Sequence, residues 1–112
     1  MSRRDHDRLV DILEAAAAIS NHLERGSLED GLVFDAVRVR LIEIGEAVKA
    51  IEPDLLSSEP GIPWRDVAGM RDYLAHHYFD TLQAIVATTV TDDLPALVAA
   101  VRRLRGTAES SP

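Results

Sequence analysis

The sequence predicts an all-α fold, a compact bundle of four to five helices. Three observations predict it. Apolar residues recur at alternating spacings of three and four along most of the chain, which is the period of one helix face. They are mainly Leu, Val, Ile and Ala, and only five of the 112 residues are aromatic, as suits packed helices. Most prolines and glycines fall between the periodic runs, and no run alternates as a strand would.

A first helix is predicted from about Asp5 to Glu24. Leu9, Ile12, Leu13, Ala16, Ile19, Ser20 and Leu23 share one face, and Gly26 and Ser27 end it. A second runs from about Glu29 to Glu52 with the stripe Val33, Val37, Leu41, Ile44, Val48 and Ile51, and Pro53 stops it. Gly45 lies inside this helix and costs about 1 kcal/mol relative to Ala. Its presence predicts that another element packs very close there. Residues 53–63, with three prolines, two serines and a glycine, read as a loop with room for one helical turn.

A third helix begins near Pro63 and carries Trp64, Val67, Met70, Leu74 and Tyr78 on one side. Phe79-Asp80-Thr81 reads as a break. A fourth helix follows from about Leu82 to Thr91. A fifth opens at Asp92-Asp93-Leu94-Pro95, an acidic cap with Pro in the first turn, and its stripe is Leu94, Leu97, Val98, Val101 and Leu104. Residues 1–105 make one domain, and 106–112 a flexible tail.

No cysteine is present, which excludes disulfides and thiolate metal sites. No unbroken apolar run reaches the roughly 20 residues that span a bilayer, and the Arg-rich start leads into a helix that carries acidic residues. Cytoplasmic location without membrane attachment is the expectation. The formal net charge is −7 and the pI about 4.9. That balance argues mildly against a general nucleic-acid binder but leaves room for a local positive site.

Chemistry concentrates in Arg71-Asp72-Tyr73-Leu74-Ala75-His76-His77-Tyr78. Arg71 falls inside the apolar stripe of the third helix. A guanidinium there must be paired, line a polar cleft or face a partner. The plain alternative is a salt bridge to an inward carboxylate such as Glu46. The histidines supply an acid/base group that titrates near neutrality, and the arginine supplies a fixed cation for phosphate. The adjacent pair His76-His77 cannot chelate one ion from a single helix face, and no HExxH spacing exists, so neither metal nor cofactor is expected. On an ideal helix positions 71 and 76 point about 140° apart. The helix is distorted before His76, or Arg71 wraps back, or two chains contribute to one cleft.

These residues resemble a known family. Arg71, His76 and Tyr78 fit the Arg-x4-His-x-Tyr frame of the HepT-like toxins, a branch of the HEPN superfamily of helical ribonucleases. Leu9–Ala15, Ile44–Ala47, Ile62–Trp64, Ala68–Arg71 and Asp93–Pro95 look like further landmarks of that family in the expected order. The resemblance implies a metal-independent endoribonuclease toxin that works as a homodimer with a composite cleft. The chemistry of RNA cleavage by the 2′-hydroxyl suits Arg71 as phosphate clamp, His76 in proton transfer and Asp72 orienting one of them, with Glu46 and His77 as supporting candidates. The resemblance also implies an antitoxin partner, MntA, a minimal nucleotidyltransferase that silences the toxin by transferring AMP to a tyrosine beside the active site; Tyr78, within about 20° of Arg71 on an ideal helix, ranks before Tyr73, which faces away by about 160°. One departure stands out: members often have Arg-Asn in the middle of the second helix, where this chain reads Arg38-Val39-Arg40. The competing readings are a catalytically inactive nucleotide-binding or protein-interaction module, and a structural module whose polar cluster is an ion pair.

Overall fold

The computed structural model describes residues 1–76 and 79–110 of the chain. They form helices α1 (Arg3–Arg25), α2 (Gly31–Lys49), α3 (Pro53–Leu56), α4 (Trp64–Ala68), α5 (Met70–Ala75), α6 (Phe79–Thr88) and α7 (Leu94–Ser110), with a π-helical turn at Thr89–Asp93 between the last two. No strand occurs among the described residues, so the all-α expectation holds.

The long helices form because their apolar stripes have somewhere to go. α1 is capped by Ser2, whose hydroxyl accepts from the Asp5 amide at 3.0 Å. It buries Leu9, Ile12, Ala16 and Ile19, whereas Ser20, placed on this face by the periodicity, is exposed. α2 is capped by Asp30, which accepts from the Leu32 amide at 2.9 Å, and buries Val37, Leu41, Ile44 and Val48. α1 packs along α2 on one side and α7 on the other, while α2 also receives α4 and α5. Side chains of Leu or Ile size buried this fully contribute about 1.5–3 kcal/mol each.

Asp5 is a buried carboxylate that the periodicity does not reveal. Its Oδ1 accepts the Glu52 amide at 3.2 Å, which ties the start of α1 to the start of α3 across 47 positions. The loop after α3 is held from two sides. Trp64 Nε1 donates to the Glu59 carbonyl at 3.0 Å, and Arg103 of α7 grips the Glu59 carboxylate with Nε at 3.1 Å and Nη2 at 2.6 Å.

Four expected boundaries move. The third predicted helix is two, α4 and α5, divided at Gly69. Phe79–Thr81, read as a break, opens α6, because the chain already leaves helical geometry at His76 with φ −112° and ψ 7°. The break expected at Asp92 is a change of pitch. The Leu94 amide donates to the Thr89 carbonyl five residues back, so the helix widens and continues. Pro95 explains the widening: in a regular helix its ring would meet the carbonyl of Thr91, which lies inside the π turn. The helix also passes Gly106 and runs to Ser110, since no glycine among the described residues takes the positive φ that would cap it. At 1.5 Å per residue, positions 79–110 span about 48 Å, which accounts for the 47 Å long dimension of the molecule. Its part from Leu82 to Gly106 is long and apolar enough to cross a membrane by length and composition alone. Asp92 and Asp93 sit near its midpoint, however, and Leu97, Val101 and Leu104 are buried.

The Glu59–Arg103 contact sets a pH dependence. Hydrogen bonding to Arg103, with a smaller charge attraction, holds the Glu59 carboxyl below its ordinary value of 4.5. A depressed folded-state pKa gives stability that is present above the ordinary value and lost as pH falls through the folded one. The melting temperature of the wild type should therefore exceed that of Glu59→Gln at pH 7. The gap should close below pH 4.5, as followed by circular dichroism.

Candidate active site

The site segment is too short to stand alone. α5 has six residues, fewer than an isolated helix needs in water, so its position must come from tertiary contacts. Leu74 is its buried anchor. The second contact is the glycine flagged by its cost. A Cβ built on Gly45 would lie 2.9 Å from the Val67 carbonyl oxygen, 3.5 Å from the Arg71 amide nitrogen and 3.6 Å from the Met70 Cβ. The backbone of α2 thus touches the α4–α5 junction directly. The third contact is Arg38, one stripe along α2 from Gly45, whose Nη1 donates to the Leu74 carbonyl at 3.1 Å.

Arg71, on the first turn of α5, turns toward α2, where its Nε meets Glu46 Oε1 at 2.8 Å. This is the ion pair that burial of a guanidinium would require, yet the pair is not buried. The side chains are 59% and 46% exposed. Exposed pairs of this kind contribute about 0.2–1 kcal/mol and are easily exchanged.

His76 ends α5. Its Nδ1 lies 2.6 Å from the Asp72 carbonyl oxygen, and its amide donates to the Tyr73 carbonyl at 3.4 Å. A carbonyl only accepts, so Nδ1 is the protonated nitrogen, and in the neutral ring Nε2 keeps the lone pair. His76 as a residue is exposed. Asp72 acts on His76 through its backbone. Its carboxylate makes no hydrogen bond or ion pair among the described residues. The helix ends between the two groups: Arg71 belongs to α5 and His76 to the turn that leaves it. No hydrogen bond or ion pair joins the two side chains among the described residues. Tyr73 is 40% exposed beside them. His77 and Tyr78 lie outside the described residues.

Charge around the site is uneven. A cleft of about 680 Å³ between α1 and α2 reaches Glu46, but Arg8 and Arg40 face Asp11, Glu14, Glu43 and Glu46 there, so it is acidic and poorly suited to phosphate. Arg8 is paired with Asp11 at 3.0 Å, and Arg40 with Glu43 at 3.1 Å. Arg38 differs from both, with no carboxylate partner among the described residues. Its placement was readable in principle. It precedes Gly45 by seven positions, so the two lie within about 20° on one face of α2, and the close approach predicted at Gly45 applies to Arg38 too. No group of residues able to hold a metal ion occurs among those described.

Comparison with known proteins agrees over nearly the whole chain. Residues 10–104 match the family model HepT-like, described as "Ribonuclease HepT-like". A "Probable ribonuclease HepT" of Thermococcus cleftensis is 38% identical over 109 residues, which cover 94% of this chain and 99% of that one. A "Putative RNase" of Methanocaldococcus jannaschii is 38% identical over 93 residues, covering 80% and 77%. Another, from Caldanaerobacter subterraneus subsp. tengcongensis, is 32% identical over 100 residues, covering 86% and 89%. No solved structure matches the chain significantly.

The contact at Gly45 makes a stability prediction. Alanine gains about 1 kcal/mol of helix propensity, but its methyl group meets backbone at 2.9 Å, which cannot rotate away. Overpacking of this kind costs typically about 1–3 kcal/mol, so the net effect of Gly45→Ala should be destabilising. A fall of several degrees in melting temperature is expected, and an unchanged or raised value would contradict the close approach.

Proposed function

Since the chain belongs to the HepT-like ribonuclease family, we propose that it is a metal-independent endoribonuclease, the toxin of a toxin–antitoxin pair. RNA brings its own nucleophile. The 2′-hydroxyl attacks the adjacent phosphorus, the bond to the 5′-oxygen breaks, and a 2′,3′-cyclic phosphate and a free 5′-hydroxyl result. The reaction needs a base for the 2′ proton, an acid for the leaving oxygen and positive charge for the phosphorane. His76 is the proton-transfer residue through Nε2, and Arg71 is the phosphate clamp. The observation that carries this reading is the Nδ1 contact to the Asp72 carbonyl at 2.6 Å, which leaves Nε2 as the basic nitrogen of an exposed residue. The weak Arg71–Glu46 pair supports it as well, because a substrate phosphate can take the place of the carboxylate at modest cost.

The working form is a homodimer whose two site segments meet in one cleft, with one His76 as base and the other as acid. Exposed apolar side chains on α2 and α5 favour association: Leu32 is 83% exposed, Val39 48% and Tyr73 40%. Leu32, Val39 and Glu46 follow one another at intervals of seven, so an apolar stripe on α2 leads to the Arg71 partner. Pairing two copies also places both sets of site arginines together, and an acidic molecule needs such local charge to draw RNA in. Silencing is by an MntA-like nucleotidyltransferase that transfers AMP to a tyrosine, Tyr78 first and Tyr73 second. The attached phosphate would compete for Arg71 and the adenosine would fill the cleft.

A second reading is a non-cleaving nucleotide-binding or interaction module. It is favoured by one observation, that Glu46 already neutralises Arg71 in the free chain. Incubation of purified protein with RNA in excess chelator separates the two. Cleavage is expected in the wild type, and His76→Ala and Arg71→Ala should each lower it by at least about 100-fold with helical content unchanged. Wild-type cleavage and product ends in His76→Ala would overturn the assignment. Co-expression with the cognate nucleotidyltransferase should add AMP mass to the peptide spanning Arg71 to Phe79. The addition should be lost in Tyr78→Phe; loss only in Tyr73→Phe reverses the order of the tyrosines.

A further inference from the structure

α5 ends with its last carbonyls pointing out of the helix, as every helix does, and these groups need donors. Three in succession are engaged here. The Asp72 carbonyl takes the His76 ring at 2.6 Å, the Tyr73 carbonyl takes the His76 amide at 3.4 Å, and the Leu74 carbonyl takes Arg38 Nη1 at 3.1 Å. The first two contacts are local and fold His76 back on its own helix. Only the third comes from another element, 36 positions away in the chain. It fixes the helix end against α2, and so fixes where the back-folded ring stands relative to the rest of the molecule.

Arg38 is an unusual choice for a mere helix cap. It is partly buried, its Nε is buried without a hydrogen-bond partner, and no carboxylate among the described residues balances its charge. Leaving a cation in that condition opposes folding. Among the described residues its partner is the negative end of α5, and a six-residue helix offers a weak one. Arg8 shares the buried, unpartnered Nε but faces a carboxylate, as Arg40 and Arg103 do, and Arg38 does not. We propose that Arg38 is a positioning residue. It holds the Leu74 carbonyl so that the α5 end keeps His76 in the Nδ1–H form with Nε2 presented to substrate. The proposal rests on the ribonuclease reading for its catalytic consequence, though not for the geometry of His76.

Two measurements test it together. The first is the tautomer and exchange state of the His76 ring in the full-length wild type and in Arg38→Ala, by nitrogen-detected NMR of labelled histidine. The second is the rate of cleavage of a fluorescent RNA oligonucleotide in chelator. In Arg38→Ala the His76 signals should move from the Nδ1–H form toward those of an untethered histidine. The kcat should drop by about 100-fold, the order seen when a reacting group is misplaced by an ångström, with KM within about twofold. Arg38→Lys keeps one donor and should retain the Nδ1–H signals and most of kcat, which also covers the case that Arg38→Ala does not fold. Unchanged His76 signals in Arg38→Ala would overturn the proposal. So would a raised KM at wild-type kcat, which would make Arg38 a direct substrate contact. If the wild type cleaves no RNA at all, the ribonuclease reading fails, and the NMR comparison alone still decides whether Arg38 positions His76.

Discussion

The candidate site is assembled where two backbones touch at Gly45. With no side chain at that position, α2 comes against the Val67 carbonyl and the Arg71 amide, and the α4–α5 junction is seated on α2 at main-chain distance. Everything chemically interesting is on the few residues after that junction. Arg71 reaches Glu46 because Glu46 follows Gly45 directly, and the Leu74 carbonyl reaches Arg38 because Arg38 lies two turns before it on the same face. A residue with a Cβ would hold the whole segment off α2 and lengthen both contacts. The glycine is unfavourable for the helix taken alone and favourable for the assembly, which is how a local rule is overridden by a tertiary one.

α2 is therefore the organising element, and its faces divide the work. One face, with Val37, Leu41, Ile44 and Val48, belongs to the core. The next, with Arg38 and Gly45, receives the site segment. The third carries the exposed Leu32 and Val39 and, further along, Glu46, which pairs with Arg71. A single helix thus connects core stability with the geometry of the candidate site. The long helix through the π turn has a simpler role. It closes the core over α1 and clamps the loop before α4 through Arg103 and Glu59.

Electrostatics shows the same separation of global from local. The chain carries a net charge of −7, yet the site segment and its support on α2 bring Arg38 and Arg71 to neighbouring carbonyls and a single exchangeable carboxylate. Net charge describes long-range approach, and a site a few ångströms across is governed by what lies within a Debye length of it. Composition therefore pointed away from RNA, whereas the residues around His76 and the ribonuclease family to which the chain belongs point toward it.

By itself the sequence determined the helical class, the stripes of α1, α2 and α7, and the cluster around Arg71 and His76. All of these depend on short-range periodicity or on residue types close together in the chain. It also marked Gly45 as a close approach, because a helix-interior glycine needs a reason. What it did not determine were features set by contacts across the chain or by small changes in pitch. Asp5 capping Glu52 and Arg38 holding Leu74 join positions 47 and 36 apart. The division at Gly69 and the π turn before Pro95 are choices between helical forms of nearly equal local energy. Tertiary structure decided the first, because the packing of α4 and α5 against α2 outweighs the small local preference for one continuous helix, while at the second Pro95 widens the turn and the burial of Leu94 and Leu97 keeps the helix in the core.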